Sequence, residues 1–392
     1  MANPPASIVR RTPWPSSSSR PVATPLQPSV VYASASPDAL DDQYEGRADG
    51  YTYAREGHPN ADVLSQKIDA LEGATGGIIT GSGMAAVTAT LLGVLKAGDH
   101  VIGGNQLYGR SLRMMNDDLP RLGIQTSLAD PTDARAFAKA VRPNTRMILI
   151  ELVSNPTLRV ADIAGIRELA ENAGLLLVVD NTFSTPRAFQ PFQHGADIVI
   201  HSVTKLLAGH SDVTLGYVVA RDKGVQEQIT TTAVTYGLTP SPFDCWLAER
   251  GIYSFELRYD RAEQNAAQLA EALSGLPNVT QVLYPTRVDH PDHNRAVALL
   301  GQRGGNMVSF EISGGRDATN RLVQAAPNIA FAPTLGDIGT TLSHPASSSH
   351  RALSVAARAE LGMHEGFFRV SVGIEDIDLL ISEFRTAISA AS

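Results

Sequence analysis

A lysine and two hydroxyl side chains directly follow a short apolar run in the middle of the chain. The run 196–200 has the length and composition of a buried strand, and Ser202, Thr204 and Lys205 come just after it. We expect these side chains at the carboxyl end of the strand, where an open α/β sheet binds ligands. A desolvated lysine becomes a neutral nucleophile that forms a Schiff base with an aldehyde. Because the hydroxyls can donate to phosphate oxygens, the pattern favours a phosphorylated aldehyde as the ligand.

An acidic side chain follows a second apolar run. The run 175–179 predicts another buried strand, and Asp180 comes directly after it, at the same edge of the sheet as Lys205. A carboxylate there can keep a pyridine nitrogen protonated, which makes the ring a good acceptor of electrons. Pyridoxal 5′-phosphate (PLP) carries the aldehyde, the phosphate and the pyridine together. Asp180 could instead cap a turn or a helix.

A glycine-containing turn could bind the phosphate. Residues 81–84 lie between a short apolar run, 77–80, and the helical pattern of 85–95. The backbone N–H groups of Gly83 and Met84 would then lie at the start of a helix, where unpaired donors and the helix dipole attract phosphate. The alternative is a simple strand-to-helix turn, for which glycine is equally suited.

Ten short motifs follow one another along the chain, at 53–59, 71–73, 82–85, 108–109, 154–157, 179–183, 201–205, 209–212, 344–346 and 368–373. In order and spacing they resemble those of the Cys/Met-metabolism PLP-dependent enzymes, a family that includes cystathionine γ-synthase, cystathionine lyases, methionine γ-lyase and O-acetylhomoserine sulfhydrylase. The match runs from about Pro25 to the C-terminus. The resemblance implies an α/β fold of the aspartate-aminotransferase type (fold type I), with a mostly parallel central sheet and a smaller C-terminal α/β domain.

The resemblance also implies roles for matching residues. Lys205 would bind the cofactor and shuttle protons, Asp180 would hold the pyridinium, and Tyr108 would stack on the ring and exchange protons with the substrate. The phosphate would be held by Gly83, Met84, Ser202 and Thr204, with Tyr53 and Arg55 reaching in from a neighbouring subunit. Taken individually, Tyr108 could be an ordinary half-buried aromatic residue, and the two arm residues could simply be solvated.

An arginine near the C-terminus matches the position that binds the substrate's α-carboxylate in the family. This is Arg369, which Asn155 and Thr334 would assist. A guanidinium fork suits that task because it can donate two parallel hydrogen bonds to a carboxylate. Arg369 could instead be a strand-edge charge paired with Glu375 or Asp376.

Several positions depart from the family pattern, namely Glu56, His58, Asn60, Arg110 and Gly339. Glu56 and Arg110 could face the distal end of the substrate. A carboxylate there would favour a polar or cationic γ-substituent, such as the guanidinooxy group of canavanine, and would repel a second carboxylate. Alternatively, the two residues form an exposed ion pair with each other or with nearby charges and contribute little.

The composition limits the class of protein. A chain of 392 residues is too long for one ordinary core and predicts two to three domains. Its net charge of −8, without a dominant basic patch, argues against nucleic-acid and anionic-membrane partners. No apolar run approaches the roughly 20 residues that span a bilayer. The single cysteine, Cys245, favours the cytoplasm and a packing role. No metal site is predicted.

The pattern of elements predicts three parts: an arm, 1–62, that contacts a neighbouring subunit, a PLP-binding domain, 63–250, and a C-terminal domain, 251–392. Prolines oppose a continuous helix early in the arm, and a helix is predicted from Val63 to a cap at Gly73. Apolar runs then alternate with helical stretches, as in a mostly parallel sheet. The runs lie near 101 and at 147–152, 175–179, 198–200 and 217–220. In the last part we expect a polar helix near 258–273 and an antiparallel sheet with strands at 279–283, 307–312 and 368–372.

These observations together predict a PLP-dependent lyase that acts at the γ-carbon of an L-amino acid of the methionine, cystathionine or homoserine-derivative type. Elimination would give a 2-oxo acid and ammonia, whereas attack by a thiol would give γ-replacement, and both use the same residues. Repulsion of an acidic partner by Glu56 favours elimination. A β-lyase and a non-catalytic family member are the further alternatives. Because the arm would complete a neighbour's site, a dimer is the minimum, and the resemblance implies a homotetramer.

Overall fold

The computed structural model describes residues 17–351 and 353–392. The first part of the predicted arm, 1–16, therefore lies outside the described residues. From 17 to 36 the described arm contains no helix, and its first helix is α1, Pro37–Tyr44, in which no residue is buried. The arm thus has no apolar core of its own there, in line with its proline-rich composition.

Seven strands form the larger sheet. They are β1 (Ile78–Thr80), β2 (His100–Gly104), β3 (Gln125–Ala129), β4 (Thr145–Glu151), β5 (Leu176–Asp180), β6 (Ile198–His201) and β7 (Gly216–Ala220). Their order in the sheet is β1-β7-β6-β5-β4-β2-β3. Strand β7 is antiparallel to both of its neighbours, and every other pair is parallel. The predicted mostly parallel central sheet is confirmed.

Helices cover both faces of the larger sheet and also pack on the smaller one. After α1 they are α2 (Pro59–Glu72), α3 (Gly83–Val94), α4 (Gly109–Arg113), α5 (Leu119–Arg121), α6 (Ala134–Ala140), α7 (Ile163–Ala173), α8 (Thr185–Ala188), α9 (Lys223–Thr235), α10 (Pro242–Ile252), α11 (Phe255–Ser274), α12 (His293–Leu300), α13 (Gly315–Gln324), α14 (Val355–Glu360) and α15 (Ile377–Ala391). A π-helical turn, Met114–Asp118, joins α4 to α5, and 3₁₀ turns occupy Pro191–His194 and Pro345–Ser347.

The central strands are apolar without interruption because helices cover both faces of the sheet. Along β5, Leu177 and Val179 belong to the same apolar cluster as Leu64 of helix α2. The intervening Val178 belongs to a second cluster, with Leu91 of helix α3. Successive side chains of a strand point to opposite faces, so the run predicted at 175–179 packs into two cores at once.

Helix α2 begins at Pro59 rather than at the predicted Val63. The start is earlier because His58 caps the helix: its Nδ1 accepts the N–H of Asn60 at 3.1 Å. Proline suits the first turn, since its missing N–H would be unpaired there anyway. The helix ends at Gly73, whose φ of 66° is a left-handed conformation that glycine adopts readily. The predicted arm boundary at 62 therefore falls inside this helix.

A second, five-stranded sheet lies in the C-terminal part. Its strands are β8 (Val279–Leu283), β9 (Met307–Ile312), β10 (Ala330–Phe331), β11 (Thr341–Ser343) and β12 (Phe367–Ser371), in the order β10-β11-β12-β9-β8. All pairs are antiparallel except β10 with β11. Helices α11, α13 and α15 pack apolar side chains against it in a core of its own. The smaller α/β domain with an antiparallel sheet is as predicted, although β10 and β11 were not predicted.

Cys245 lies buried in helix α10, within the larger apolar core. Burial raises the pKa of its thiol above the ordinary value, which keeps the sulfur protonated and unreactive. Its predicted packing role agrees with this position. No helix in the described ranges is long and apolar enough to cross a bilayer.

Candidate active site

The carboxyl ends of β4, β5 and β6 form the floor of a cavity of about 1110 Å³. Eleven of the residues predicted to bind cofactor or substrate line it: Gly83, Met84, Tyr108, Arg110, Asn155, Asp180, Ser202, Thr204, Lys205, Thr334 and Arg369. They come from both the larger and the smaller sheet, so the cavity lies between the two parts of the chain. Three predicted residues, Tyr53, Arg55 and Glu56, are not part of this lining.

Lys205 lies in the turn that follows β6, where its N–H donates to the carbonyl of Ser202 at 3.1 Å. Its Nζ is 3.5 Å from Oγ1 of Thr334, across the cavity. Burial lowers the pKa of this amine, and the nearby cation of Arg369 lowers it further. The loop carrying Thr334 can approach so closely because Gly336, with a φ of 80°, has no side chain: a Cβ there would lie 2.5 Å from the backbone nitrogen of Leu206.

Asp180 ends strand β5 and lines the same cavity. Its Oδ1 accepts the N–H of Thr182 at 3.0 Å and the hydroxyl of Thr182 at 2.6 Å. The alternative role as a turn cap is thus present as well, but it uses only one oxygen and leaves Oδ2 for another donor. Burial raises the pKa of this carboxyl, while the two Thr182 donors and the charge of His201 act in the opposite direction.

The start of helix α3 provides the expected phosphate cradle. Ser82 caps the helix, with its Oγ accepting the N–H of Ala85 at 3.0 Å, so Gly83 and Met84 are the first helical residues and their N–H groups have no intrahelical partner. Gly83 packs against Ser202, and a Cβ on this glycine would lie 2.7 Å from the Ser202 Cβ. The turn therefore requires glycine in order to bring the helix start beside the residue that follows β6.

The hydroxyls of Ser202 and Thr204 differ in their hydrogen-bond partners. Thr204 Oγ1 donates to the carbonyl of Leu215 at 3.1 Å and accepts its N–H at 2.9 Å. Its proton is therefore used to fix the loop before β7. The Ser202 hydroxyl makes no hydrogen bond to any other side chain or backbone group of the described ranges, so it is the freer of the two to donate to a phosphate.

Arg369 lies in the interior strand β12 and is only 4% exposed. Its Nη1 donates to Asn155 Oδ1 at 2.6 Å, and its Nη2 donates to the carbonyl of Thr334 at 2.7 Å. The alternative pairing with Glu375 or Asp376 is wrong, because Glu375 accepts hydrogen bonds from Thr340 and Asp376 caps helix α15. Burial lowers the pKa of Arg369 to about 10, which still leaves the guanidinium charged at neutral pH. This buried cation is held by neutral acceptors.

Tyr108 lies at the start of helix α4, lines the cavity and is 40% exposed. Its backbone N–H donates to Oε1 of Glu151 at 2.6 Å. Tyr108 is an exposed aromatic residue rather than a half-buried one, and what distinguishes it is its position in the same cavity as Lys205 and Asp180.

The arm residues Tyr53, Arg55 and Glu56 lie at the surface of this chain. The Arg55 guanidinium is 5.3 Å from the centre of the Tyr53 ring, and its Nε is 3.7 Å from Oε1 of Glu56. The alternative of an exposed ion pair with a nearby charge holds for Glu56, which pairs with its neighbour Arg55, whereas Arg110 lines the cavity and does not pair with Glu56. Of Glu56 and Arg110, only Arg110 lines the substrate cavity of its own chain.

Sequence reasoning missed several residues of the cavity. Among them are Glu151, Thr182, Arg113, His350 and Arg351. A signal existed for Glu151, because it directly follows the apolar residues 147–150 and lies at the same sheet edge as Asp180. Within the described ranges, no group of three or more His, Cys, Asp or Glu residues is arranged to hold a metal ion.

The residues present fit PLP. Unpaired N–H groups at the start of α3 and the hydroxyl of Ser202 suit the phosphate. A lysine with a lowered pKa suits the aldehyde, and Asp180 suits the ring nitrogen. The site thus provides one matching group for each functional part of the cofactor.

Comparison with known proteins agrees with this assignment. The sequence profile of the family described as "Cys/Met metabolism PLP-dependent enzyme" matches residues 7–389. The chain is 38% identical to cystathionine β-lyase MetC of Bacillus subtilis, over 86% of each chain. It is 37% identical to L-methionine γ-lyase of Pseudomonas putida, over 94% of this chain and 91% of the relative.

A solved structure extends the similarity to three dimensions. Cystathionine γ-synthase of Xanthomonas oryzae pv. oryzae, in complex with cystathionine, superimposes with a TM-score of 0.89 at 37% identity. The match covers 94% of this chain and 93% of that one. The fold, the family profile and the relatives therefore agree, and the chain belongs to the Cys/Met-metabolism family of PLP-dependent enzymes.

Proposed function

We propose that this enzyme is a lyase that removes a substituent from the γ-carbon of an L-amino acid and releases a 2-oxo acid and ammonia. The observation that carries the proposal is the single cavity lined by Lys205, Asp180, Tyr108 and Arg369. An amine, a carboxyl, a phenol and a guanidinium are the groups that such a reaction uses for proton transfer and carboxylate binding. Similarity to an L-methionine γ-lyase over 94% of the chain is the second support.

Proton transfer is the proposed task of Lys205 and Tyr108. When bound, PLP supplies an electron-accepting ring that stabilises negative charge at the substrate's α-carbon. Burial and the Arg369 cation lower the pKa of Lys205, so more of its amine is neutral and able to accept the α-proton. Asp180 keeps a proton on the ring nitrogen, and the Tyr108 hydroxyl donates one to the leaving group.

Carboxylate binding is the proposed task of Arg369. The guanidinium is buried, and its Nη atoms donate to Asn155 and Thr334, neither of which is charged. A cation without an anionic partner is costly to bury. An α-carboxylate arriving in the cavity would neutralise it, which provides a strong reason for substrates to bind through that group.

Elimination and replacement differ in what enters the cavity after the γ-substituent leaves. The relatives include a γ-lyase, a β-lyase and a γ-synthase, so γ-replacement by a thiol is the alternative function. Repulsion by Glu56 gives less support to elimination than expected, because Glu56 pairs with Arg55 outside the cavity of its own chain. The preference for elimination therefore rests on the γ-lyase similarity.

A substrate panel with wild-type enzyme tests the proposal. The PLP-loaded enzyme would be given L-methionine, L-cystathionine, O-acetylhomoserine and L-canavanine separately, with and without an added thiol, while 2-oxo acid and ammonia are measured. We expect equal amounts of both products from at least one substrate without thiol. Thioether formation that replaces oxo-acid release would establish γ-replacement instead. The absence of a cofactor absorption band after adding PLP would overturn both γ-elimination and γ-replacement and indicate a binding protein.

The same panel with Arg110→Gln tests whether the distal end of the cavity selects the leaving group. Arg110 lines the cavity and has no ion pair among the described residues. We therefore expect kcat/KM to fall about tenfold for cystathionine, whose distal group carries a carboxylate, and to change less than twofold for methionine. Equal changes for both substrates would show that Arg110 does not contact the distal group.

The arm residues suggest a shared site. Tyr53 and Arg55 match motif positions that hold phosphate in the family, yet they do not line the cavity of their own chain. We therefore propose that they complete the site of a neighbouring subunit, with a dimer as the minimum and a homotetramer as the assembly.

Arg55→Ala tests this arrangement. Loss of one cationic phosphate contact should weaken PLP retention by about tenfold without lowering the melting temperature of the apoenzyme. Arg47→Ala is the matched control, because Arg47 is also an exposed arginine of the arm and its ion-pair partners within 17–351 and 353–392 are Asp42 and Glu45. Unchanged PLP dissociation in Arg55→Ala, or an equal loss in Arg47→Ala, would contradict the shared site.

We also propose the three-part division into 1–62, 63–250 and 251–392, with the first boundary placed inside helix α2. The core of the smaller sheet supports the second boundary, because all of its buried members lie after residue 250. The proposed location is the cytoplasm, which the single cysteine supports.

A further inference from the structure

Two carboxyl side chains lie side by side at the edge of the larger sheet. Glu151 is the last residue of β4, and it is directly opposite Asp180, the last residue of β5. Residues in register on neighbouring parallel strands point to the same face, with backbones about 4.8 Å apart. Both residues line the cavity.

The two oxygens of Glu151 have different surroundings. Oε1 accepts the backbone N–H of Tyr108 at 2.6 Å. Oε2 is buried and has no hydrogen-bond partner among the described residues. Glu151 is only 9% exposed, and the mechanism proposed above does not use it. An ionised carboxylate with one unpaired oxygen in such a place would be costly.

The surroundings of Asp180 favour its charged form more than those of Glu151 do. Asp180 accepts two hydrogen bonds from Thr182 and lies near His201, which in turn contacts the buried Glu72. Burial and the charge of Asp180 hold the pKa of Glu151 well above its usual range, although the backbone N–H groups of Tyr108 and Asn155 act in the opposite direction. Two adjacent buried carboxyls rarely ionise together, so we expect the pair to hold one proton in total.

The other titratable groups around the pair do not change this assignment. Those lining the same cavity are Tyr108, Arg110, Arg113, Asp117, Lys205, His350, Arg351 and Arg369. Glu151 has no salt bridge to any of these cations in the described ranges, so none supplies the contact that would ionise it.

We propose that Glu151 is a positioning residue: it carries a proton on Oε2, fixes the backbone of Tyr108 through Oε1, and leaves Asp180 as the single anion at this edge of the site. The proposal rests on the proposed function, because Tyr108 and Asp180 matter only if they serve the cofactor. The two carboxyls then have different tasks, because Asp180 supplies the negative charge and Glu151 supplies only hydrogen bonds.

Glu151→Gln and Glu151→Ala, compared with wild type, separate the neutral role from a charged one. Glutamine keeps an acceptor for the Tyr108 N–H and cannot ionise, so PLP affinity and the absorption of the bound cofactor should stay within about twofold of wild type. Alanine removes the acceptor and should weaken PLP binding and lower kcat by about tenfold. In the apoenzyme at neutral pH, the infrared difference between wild type and Glu151→Gln should contain the C=O band of a protonated carboxyl.

Glu249→Gln is the matched control. Glu249 is also buried, at 2% exposed, but it lies in helix α10 outside the cavity, beside Lys67. The Glu249→Gln variant should leave PLP affinity unchanged, whatever its effect on the melting temperature. A carboxylate band in place of the protonated C=O band, or a glutamine variant as impaired as the alanine variant, would overturn the role of Glu151. Loss of the cofactor band in wild type itself would instead overturn the proposed function.

Discussion

Replacing Lys205 by alanine should abolish turnover, with kcat reduced by about 10⁴-fold or more, because the variant has neither the nucleophilic amine nor the base for the α-proton. PLP should still bind, more weakly, since the groups around its phosphate are unchanged. Borohydride reduction should link the cofactor covalently to the wild-type protein, as detected by mass spectrometry. The variant should stay unlabelled, because it lacks the amine that forms the reducible imine.

Lys223→Ala is a suitable control for this experiment, because Lys223 is an exposed lysine at the start of helix α9. It should behave as wild type in both turnover and labelling. If Lys205→Ala were still labelled by reduction, another lysine would carry the cofactor. If it kept substantial activity, the proposed base would have to be sought elsewhere in the cavity.

The sequence could predict the strands that are apolar from end to end. The runs at 175–179, 198–200 and 217–220 became β5, β6 and β7 within one residue at each end, because a strand covered on both faces requires an unbroken run of apolar side chains. Strand β3, Gln125–Ala129, was missed because it is an edge strand with mostly exposed or half-exposed residues. Strands β10 and β11 are too short to produce a periodic signal.

The site was predictable where its residues adjoin a strand end or a helix start, as at Asp180, Lys205 and Gly83. Contacts between distant segments were not, since no local pattern reports them. The pairing of Arg369 with Asn155 joins the smaller sheet to the loop after β4, and the resemblance alone had suggested that they act together. The sequence allowed an ion pair between Glu56 and Arg110, but in the structure Glu56 pairs with Arg55 and Arg110 lines the cavity.

Replacing Arg369 should have the second large effect, and two variants separate its two actions. Arg369→Lys keeps a positive charge near Lys205 but loses the planar fork, so kcat/KM should fall about 100-fold, equivalent to about 3 kcal/mol, mainly through KM. Arg369→Gln loses the charge as well. Because that charge lowers the pKa of Lys205, its removal should raise this pKa and leave less neutral amine at a given pH.

The measurement is the rate of PLP binding to the apoenzyme as a function of pH. The rate should rise with pH as Lys205 loses its proton, and the rise should lie at higher pH in Arg369→Gln than in wild type or Arg369→Lys. An unshifted profile in the glutamine variant would show that burial alone sets the pKa of Lys205. An unchanged KM in both variants would show that the α-carboxylate binds elsewhere, because Arg369 would then be a buried cation that serves only Asn155 and Thr334.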